Sequence, residues 1–314
     1  MRIGFFTVCL ANMNFRDVIE WAAKTGFKAL EVESYPDSKH VDPWKLDDRK
    51  VQDLKESTKK YDVTISDLSY APNNLDPDPR NRERYHKHLI KVIEACANLN
   101  VETVTTFAGK DPNRTIEENL EFFHQEFGPI ADYAKDRNVK IAIENCPMGF
   151  ALYGGENMAY SPKIWKEMFK LFDSTLGLCL DPSHLYWLQI DYMRAVRDFA
   201  DRIYMVHAKD CEIDKNALAY GGILDSEWID VLFTGKSGIG HRSIKWKDPL
   251  KQWWRYRIPG LGEIDFKRFI SELLLNGYKS ALIIEHEDPI WYGTEELNKQ
   301  GLTIGLKHLS QFLP

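Results

Sequence analysis

The sequence predicts a single (β/α)₈ barrel of the TIM type, and three observations predict it. Strand-like and helix-like patterns alternate along all 314 residues. Eight strand runs can be counted, where a doubly wound sheet more often stops at five or six. The last four runs each end on one metal-binding type of side chain, and a parallel barrel opens all its strand C-termini on a single face.

The first strand run is IGFFTV (3–8), followed by a helical pattern over 14–24 with Phe15, Val18, Ile19 and Ala22 at helical spacing. Gly26 stands where a helix commonly ends on a left-handed residue. ALEVES (29–34) and a helix over 47–60 come next, then VTISDLS (63–69) and a helix over 79–99. VETVTTFA (101–108) precedes a helix over 115–137, whose Thr115 and Glu118 fit a capping box. VKIAIE (139–144) leads to a helix opened by Ser161-Pro162, with proline in the first turn. STLGLCLD (174–181) is followed by a helix over 191–199, and RIYMVHAK (202–209) is the seventh strand run. A helix over 265–275, the strand run KSALIIE (279–285) and a helix over 295–313 complete the count. After strand seven comes an irregular insertion of about residues 211–258, carrying Trp228, Trp246, Trp253, Trp254 and Tyr256. A connection this long is usually functional, and following a strand C-terminus it is expected over the catalytic face.

Composition narrows the function classes. A 44% hydrophobic content with 12% aromatics is that of a globular chain. The net charge of −6 gives no electrostatic footprint for nucleic acid or an anionic membrane. No apolar run approaches the roughly 20 residues that span a bilayer, and the N-terminal residues read as a strand. Five cysteines, Cys9, Cys96, Cys146, Cys179 and Cys211, stand singly with no CxxC, which is expected of reduced thiols in a cytoplasmic protein.

The chemistry concentrates at four strand ends: Glu144 in IAIEN, Asp181 in LGLCLDPSH, His207 in YMVHAKD and Glu285 in ALIIEHED. Any one alone has an ordinary explanation. Asp181 in DPSH reads equally as an Asx-turn or helix cap, and a lone His207 is more often a satisfied core histidine. All four on consecutive strands, in order, favour a shared ion. Three carboxylates and one imidazole without a thiolate suit a hard divalent cation, Mn²⁺, Co²⁺ or Mg²⁺ rather than structural Zn²⁺. His184, past the Pro182 turn, is within reach of the same centre. Strand alternation puts Lys209 on the face of His207 and Glu287 on that of Glu285, making both expected second-layer or substrate-facing groups. His286 alternates with Glu285 and is expected to point away. His40, His86, His88, His124, His241 and His308 read as surface residues.

The elements IENCP, LDPSHL, VHAKD, PGLGEIDF and IIEHEDP, in this order, resemble the xylose-isomerase-like TIM-barrel superfamily. Within it the chain is similar to the sugar (phosphate) isomerase/epimerase branch that includes inosose dehydratases and ketose 3-epimerases. The resemblance covers nearly the whole chain. It implies that Glu144, Asp181, His207 and Glu285 hold one divalent metal, commonly Mn²⁺. It also implies that Glu144 and Glu285 act as acid and base, and that His184 contacts substrate oxygens. Ketose 3-epimerases place a substrate-binding arginine several residues after the third ligand. Here Glu212 and Ile213 stand near that position, with Lys209 the candidate replacement.

These residues suggest a carboxylate that removes the proton next to a keto-sugar carbonyl while the ion stabilises the enediolate. Return to the opposite face is epimerisation, return to the neighbouring carbon is isomerisation, and loss of a β-substituent is elimination. The aromatic insertion offers a stacking surface for a keto-glycoside. That matches the lyase alternative, the metal-binding large subunit of C-glycoside deglycosidases, which works with a small β-rich partner subunit. The insertion equally suits a homo-oligomer contact. Apurinic endonucleases share the superfamily but need more histidines and a basic face. A non-catalytic sugar-binding barrel would not need the Glu144/Glu285 pair. GLGEID (260–265) is either a phosphate-binding turn or a helix-entry turn, the second being favoured.

Overall fold

The strand runs close into one parallel barrel in the computed structural model, which describes residues 1–148, 155–224, 229–233, 242–246 and 251–314. Its strands are β1 (Arg2–Phe6), β2 (Ala29–Glu33), β3 (Thr64–Ser69), β4 (Thr103–Thr106), β5 (Lys140–Glu144), β6 (Leu176–Leu180), β7 (Ile203–Ala208) and, after the insertion, β12 (Ala281–Ile284). Each pairs in parallel with its neighbours, and β1 closes the ring against β12. The outer layer is built from α1 (Phe15–Thr25), α2 (Asp48–Tyr61), α3 (Pro79–Leu99), α4 (Ile116–Lys135), α5 (Pro162–Leu171), α7 (Tyr192–Asp198), α9 (Phe266–Leu275) and α10 (Glu295–Ser310). A short α6 (Pro182–Trp187) follows β6, where the sequence suggests only a turn.

Local chemistry explains the boundaries. Phe15, Val18, Ile19 and Ala22 form the buried stripe of α1, and Gly26 takes φ 108° at its end. The capping box of α4 is present: Glu118 N donates to Thr115 Oγ1, and Thr115 N donates to Glu118 Oε2. Several strands stop short of the apolar run that suggests them. Asn74 Nδ2 donates to Phe107 O at 2.6 Å, so that carbonyl beyond β4 is held by a side chain. β1 gives way at Thr7 to a 3₁₀ turn, and the Thr7 hydroxyl accepts from Glu33 N.

The insertion is more regular than its composition suggests. It begins as β8 (Asp210–Ile213) and returns as β11 (Trp254–Arg257), which pair antiparallel with Asp210 opposite Arg257. Between them lie α8 (Lys215–Gly221) and an antiparallel pair, β9 (Ile229–Phe233) with β10 (Arg242–Trp246). Trp253 and Trp254 are buried, and the Trp254 ring stacks on Trp187 of α6 with centroids 4.5 Å apart. Trp228 and His241 lie outside the described residues, as does the side chain of Trp246.

Two of the histidines assigned to the surface are buried instead. His88 Nδ1 accepts from Trp44 Nε1 at 2.9 Å, and His88 Nε2 donates to Ser34 O at 2.8 Å. His40 is a buried residue of the loop after β2, with Nδ1 3.0 Å from Thr7 Oγ1. Burial pushes His40 down to about 4 from 6.5. The unfolded chain therefore takes up this proton first. The stability that His40 contributes is present above about pH 6.5 and is lost as pH falls toward 4, on the order of 3 kcal/mol at the limit. His40→Gln is expected to flatten the acid limb of a urea-unfolding series across that window; an unchanged limb means that other groups carry it.

Candidate metal centre

Alternation along the strands aims the site residues. Ala142, Cys179, Met205 and Ile283 form a buried layer together inside the barrel. Two positions further along the same strands stand Glu144, Asp181, His207 and Glu285, which therefore point to the same side one layer nearer the mouth. The donor atoms of these four side chains all lie within 4.8 Å of one another.

Asp181 serves two purposes, one with each oxygen. Oδ1 accepts from Ser183 N at 2.8 Å and caps α6, while Oδ2 is buried without a hydrogen-bond partner. Asn145 fixes the backbone here, donating to Asp181 O and accepting from Asp181 N. Asn157 Nδ2 donates to Glu144 O and Cys146 O at 2.9 and 2.7 Å, clamping the chain on both sides of Asn145.

His207 makes the strongest case for a cation. Its Nε2 lies 2.7 Å from Glu31 Oε2. A carboxylate accepts, so this nitrogen carries a proton. The opposite nitrogen, Nδ1, faces Glu285 Oε2 at 2.9 Å and Glu144 Oε1 at 3.6 Å and has no hydrogen bond. A ring lone pair against two carboxylates is repulsive unless a proton or a cation lies between them. Asp181 Oδ2 faces the same point, 3.2 Å from Lys209 Nζ and 3.3 Å from His184 Nε2. The donor set therefore fits a divalent ion, with an oxygen-rich preference.

Glu31 of β2 is the site residue that sequence reasoning missed. It is fully buried, and the register places it beside Asp67 of β3. Burial first, and then the Glu31 charge, push the Asp67 carboxyl well above its usual range. Thr105 and Ser66 donate to Asp67 at 2.6 and 2.7 Å. Its direction follows from the packing: Glu31 stands two residues after Ala29, which belongs to the same inner layer as Ala142 and Cys179. A carboxylate on the far nitrogen of a ligand histidine sets its tautomer and orientation. Glu31→Ala is expected to weaken divalent-ion affinity about 10–100-fold in a competition titration; unchanged affinity means that His207 is oriented without it.

Of the two places expected for Lys209, behind the ligands or facing substrate, the structure gives the first. Its Nζ sits 2.8 Å from Glu285, 2.9 Å from Glu287 and 3.2 Å from Asp181, and the side chain is 1% exposed. Against the pull of burial, those three carboxylates hold its pKa well above the ordinary value. In turn Lys209 and His207 outweigh burial at Glu285 and hold that carboxyl well below its usual range. Glu144 is pushed up by burial and by Glu285, yet the bonds and charge of His184 and His207 bring it below normal.

His184 reaches the centre, with Nε2 3.4 Å from Glu144 and 3.3 Å from Asp181. Its Nδ1 lies 2.8 Å from the Tyr256 hydroxyl, and the Tyr256 ring also covers Lys209 at 4.4 Å. The returning strand of the insertion thus forms one wall of the site. The four-donor set contains no thiol, as read from the sequence, but one lies beside it: Cys146 is within 4.8 Å of Glu144 and His184 donors. His286 points away as expected, its Nε2 3.0 Å from Trp291 O. The GLGEID turn is already filled. Asp210 accepts from Gly260 N, Gly262 N and Ile264 N, and a Cβ at Gly262 would stand 2.4 Å from Asp210 Oδ1. These amides have no capacity left for a phosphate. Among the described residues, no helix is long and apolar enough to cross a membrane.

Comparison with known proteins agrees with this architecture. A family model described as Xylose isomerase-like TIM barrel matches residues 19–309. The uncharacterized protein YfiH of Bacillus subtilis is 24% identical, over 92% of this chain and 93% of its own. An inosose dehydratase of Clostridium tetani is also 24% identical, over 89% of this chain and 84% of its own. The crystal structure of IolI protein with a bound zinc atom superposes with a TM-score of 0.69 at 19% identity, covering 100% of this chain and 99% of that one.

Proposed function

Because the chain belongs to the xylose isomerase-like TIM barrel family, we propose that it is a divalent-metal-dependent enzyme of the sugar isomerase, epimerase or dehydratase kind. In this reading it removes the proton next to the carbonyl of a keto-sugar or keto-glycoside. Glu144, Asp181, His207 and Glu285 would hold the ion, Mn²⁺ first and Mg²⁺ or Co²⁺ next by the hardness of the donors. When bound, the ion supplies Lewis-acid polarisation of the carbonyl.

The observation that carries the reading is geometric: two buried carboxylates, Glu144 and Glu285, converge on one point of the cluster. Glu144 and Glu285 are both held ionised at neutral pH, and both reach His207 Nδ1. Either can take a proton from a carbon placed between them. Each also has a nitrogen neighbour: His184 Nε2 stands 3.4 Å from Glu144 and Lys209 Nζ 2.8 Å from Glu285. Removal by one carboxylate and return by the other inverts the carbon, and return to the adjacent carbon isomerises it.

Elimination is the second reading, and two observations favour it. An inosose dehydratase is among the relatives. His184 and Tyr256 also form a hydrogen-bonded pair at the site edge, able to protonate a departing oxygen. The same step on a 3-keto-glycoside would release an aglycone.

The test is proton exchange in D₂O with Mn²⁺ present, on a panel of ketoses, inososes and 3-keto-glycosides read by NMR and mass spectrometry. Deuterium entering the carbon next to the carbonyl is the expected result, and loss of water or aglycone selects elimination. A metal-loaded protein that exchanges no panel member overturns the proposal.

A further inference from the structure

Beside the four-donor cluster lies a second, softer one. Cys146, His184 and Glu144 place a sulfur, a ring nitrogen and a carboxylate oxygen within 4.8 Å of one another. Glu144 belongs to both groups. The backbone under this second set is held rigidly, because Asn157 donates to the carbonyls of both Glu144 and Cys146. Cys146 is half-buried and carries no disulfide.

The independent observation is at His184. Its side chain is fully buried, and Nε2 has no hydrogen-bond partner although it is aimed between Glu144 and Asp181. With Nδ1 engaged by the Tyr256 hydroxyl, Nε2 is the nitrogen left for a ligand. That is the way metal-binding histidines are usually oriented, one nitrogen held by a neighbour and the other free. The four-donor cluster can do without this nitrogen, since it already has an imidazole in His207.

We infer that Cys146, His184 and Glu144 form a second metal site, for a borderline-soft divalent ion such as Zn²⁺, with Glu144 shared between the two ions. Thiolate and imidazole donors select Zn²⁺ over Mn²⁺ or Mg²⁺. Three protein donors leave a position open to an exogenous ligand. The two sites thus differ in hardness: an oxygen-rich one that suits Mn²⁺ and a thiolate one that suits Zn²⁺. Because Glu144 belongs to both donor sets, the second ion bears directly on the first site.

The probe is Co²⁺, added to chelator-stripped protein and followed by absorption and by equilibrium dialysis. A second equivalent is expected, accompanied by a thiolate-to-cobalt charge-transfer band. Cys146→Ser should abolish the band and the second equivalent together. His184→Gln, which keeps the thiol, should lose the second equivalent as well. Saturation at a single equivalent without a thiolate band overturns the inference and leaves the four-donor site standing. A thiolate band that persists in Cys146→Ser also overturns it. Absence of any bound cobalt would remove the proposed function along with it, so the two failures are told apart by the first equivalent.

Discussion

Glu144→Gln and Glu285→Gln are each expected to lower proton exchange and turnover by about 10²–10⁴-fold, the range for loss of a positioned acid or base. The amide keeps the shape of the carboxyl and one oxygen donor but cannot take up a proton at neutral pH. The two variants should not be alike. Glu285 is tied to Lys209 at 2.8 Å and to His207 at 2.9 Å, so its replacement also frees the Lys209 ammonium and the His207 ring from their partner. Glu144 meets His184 and His207 at 3.4 and 3.6 Å, a looser set. If one carboxylate removes the proton and the other returns it, one variant will still wash deuterium into substrate while failing to form product. Isotope exchange and product formation, measured together at saturating Mn²⁺, make that distinction. Wild-type rates in both variants would end the acid/base assignment, and rates recovered by raising Mn²⁺ would mean that the residue binds metal only.

The quartet is legible in sequence because a strand has a period of two and a polar residue ending an apolar run has few places to go. Glu144, Asp181, His207 and Glu285 all satisfy that description, and in the structure they meet. Glu31 escapes the same reasoning because β2 is buried along its whole length. ALEVES carries two glutamates, Glu31 and Glu33, and nothing in the run tells which meets the centre. Glu33 turns instead to Ser38, whose hydroxyl donates to it at 2.6 Å. Tyr256 is illegible for a different reason. It reaches His184 only because β11 returns to pair with β8, a contact between segments far apart in sequence. The insertion reads correctly as aromatic and incorrectly as irregular: stacking of Trp187 on Trp254 is a tertiary event with no local signature. The phosphate-or-turn ambiguity of GLGEID is decided by Asp210, a residue fifty positions upstream of Gly260 that occupies its amides.

Lys209 carries the second large effect, and here structure changes what a mutation means. From the sequence, Lys209→Met is expected mainly to impair substrate handling. The structure instead shows an ammonium 1% exposed, ringed by Asp181, Glu285 and Glu287. Removing it leaves Asp181 and Glu285 buried with less compensating charge, and breaking a buried pair in this way costs about 3–5 kcal/mol. For a chain of this size that is a fall in Tm of order 10 °C. Methionine fills much of the volume, so packing accounts for little of the loss. A divalent ion supplies the missing positive charge to the same carboxylates. Added Mn²⁺ should therefore raise the Tm of Lys209→Met by more than it raises that of the wild type, through tighter binding to the folded state. Thermal unfolding of both proteins, with chelator and then with Mn²⁺, reads the difference. Equal metal-induced shifts would show that Lys209 does not neutralise the cluster. An unchanged Tm with only a raised KM would restore the substrate-facing role. The expected pattern makes Lys209 a built-in counter-charge, one that keeps three carboxylates together before the ion arrives and that the ion partly replaces.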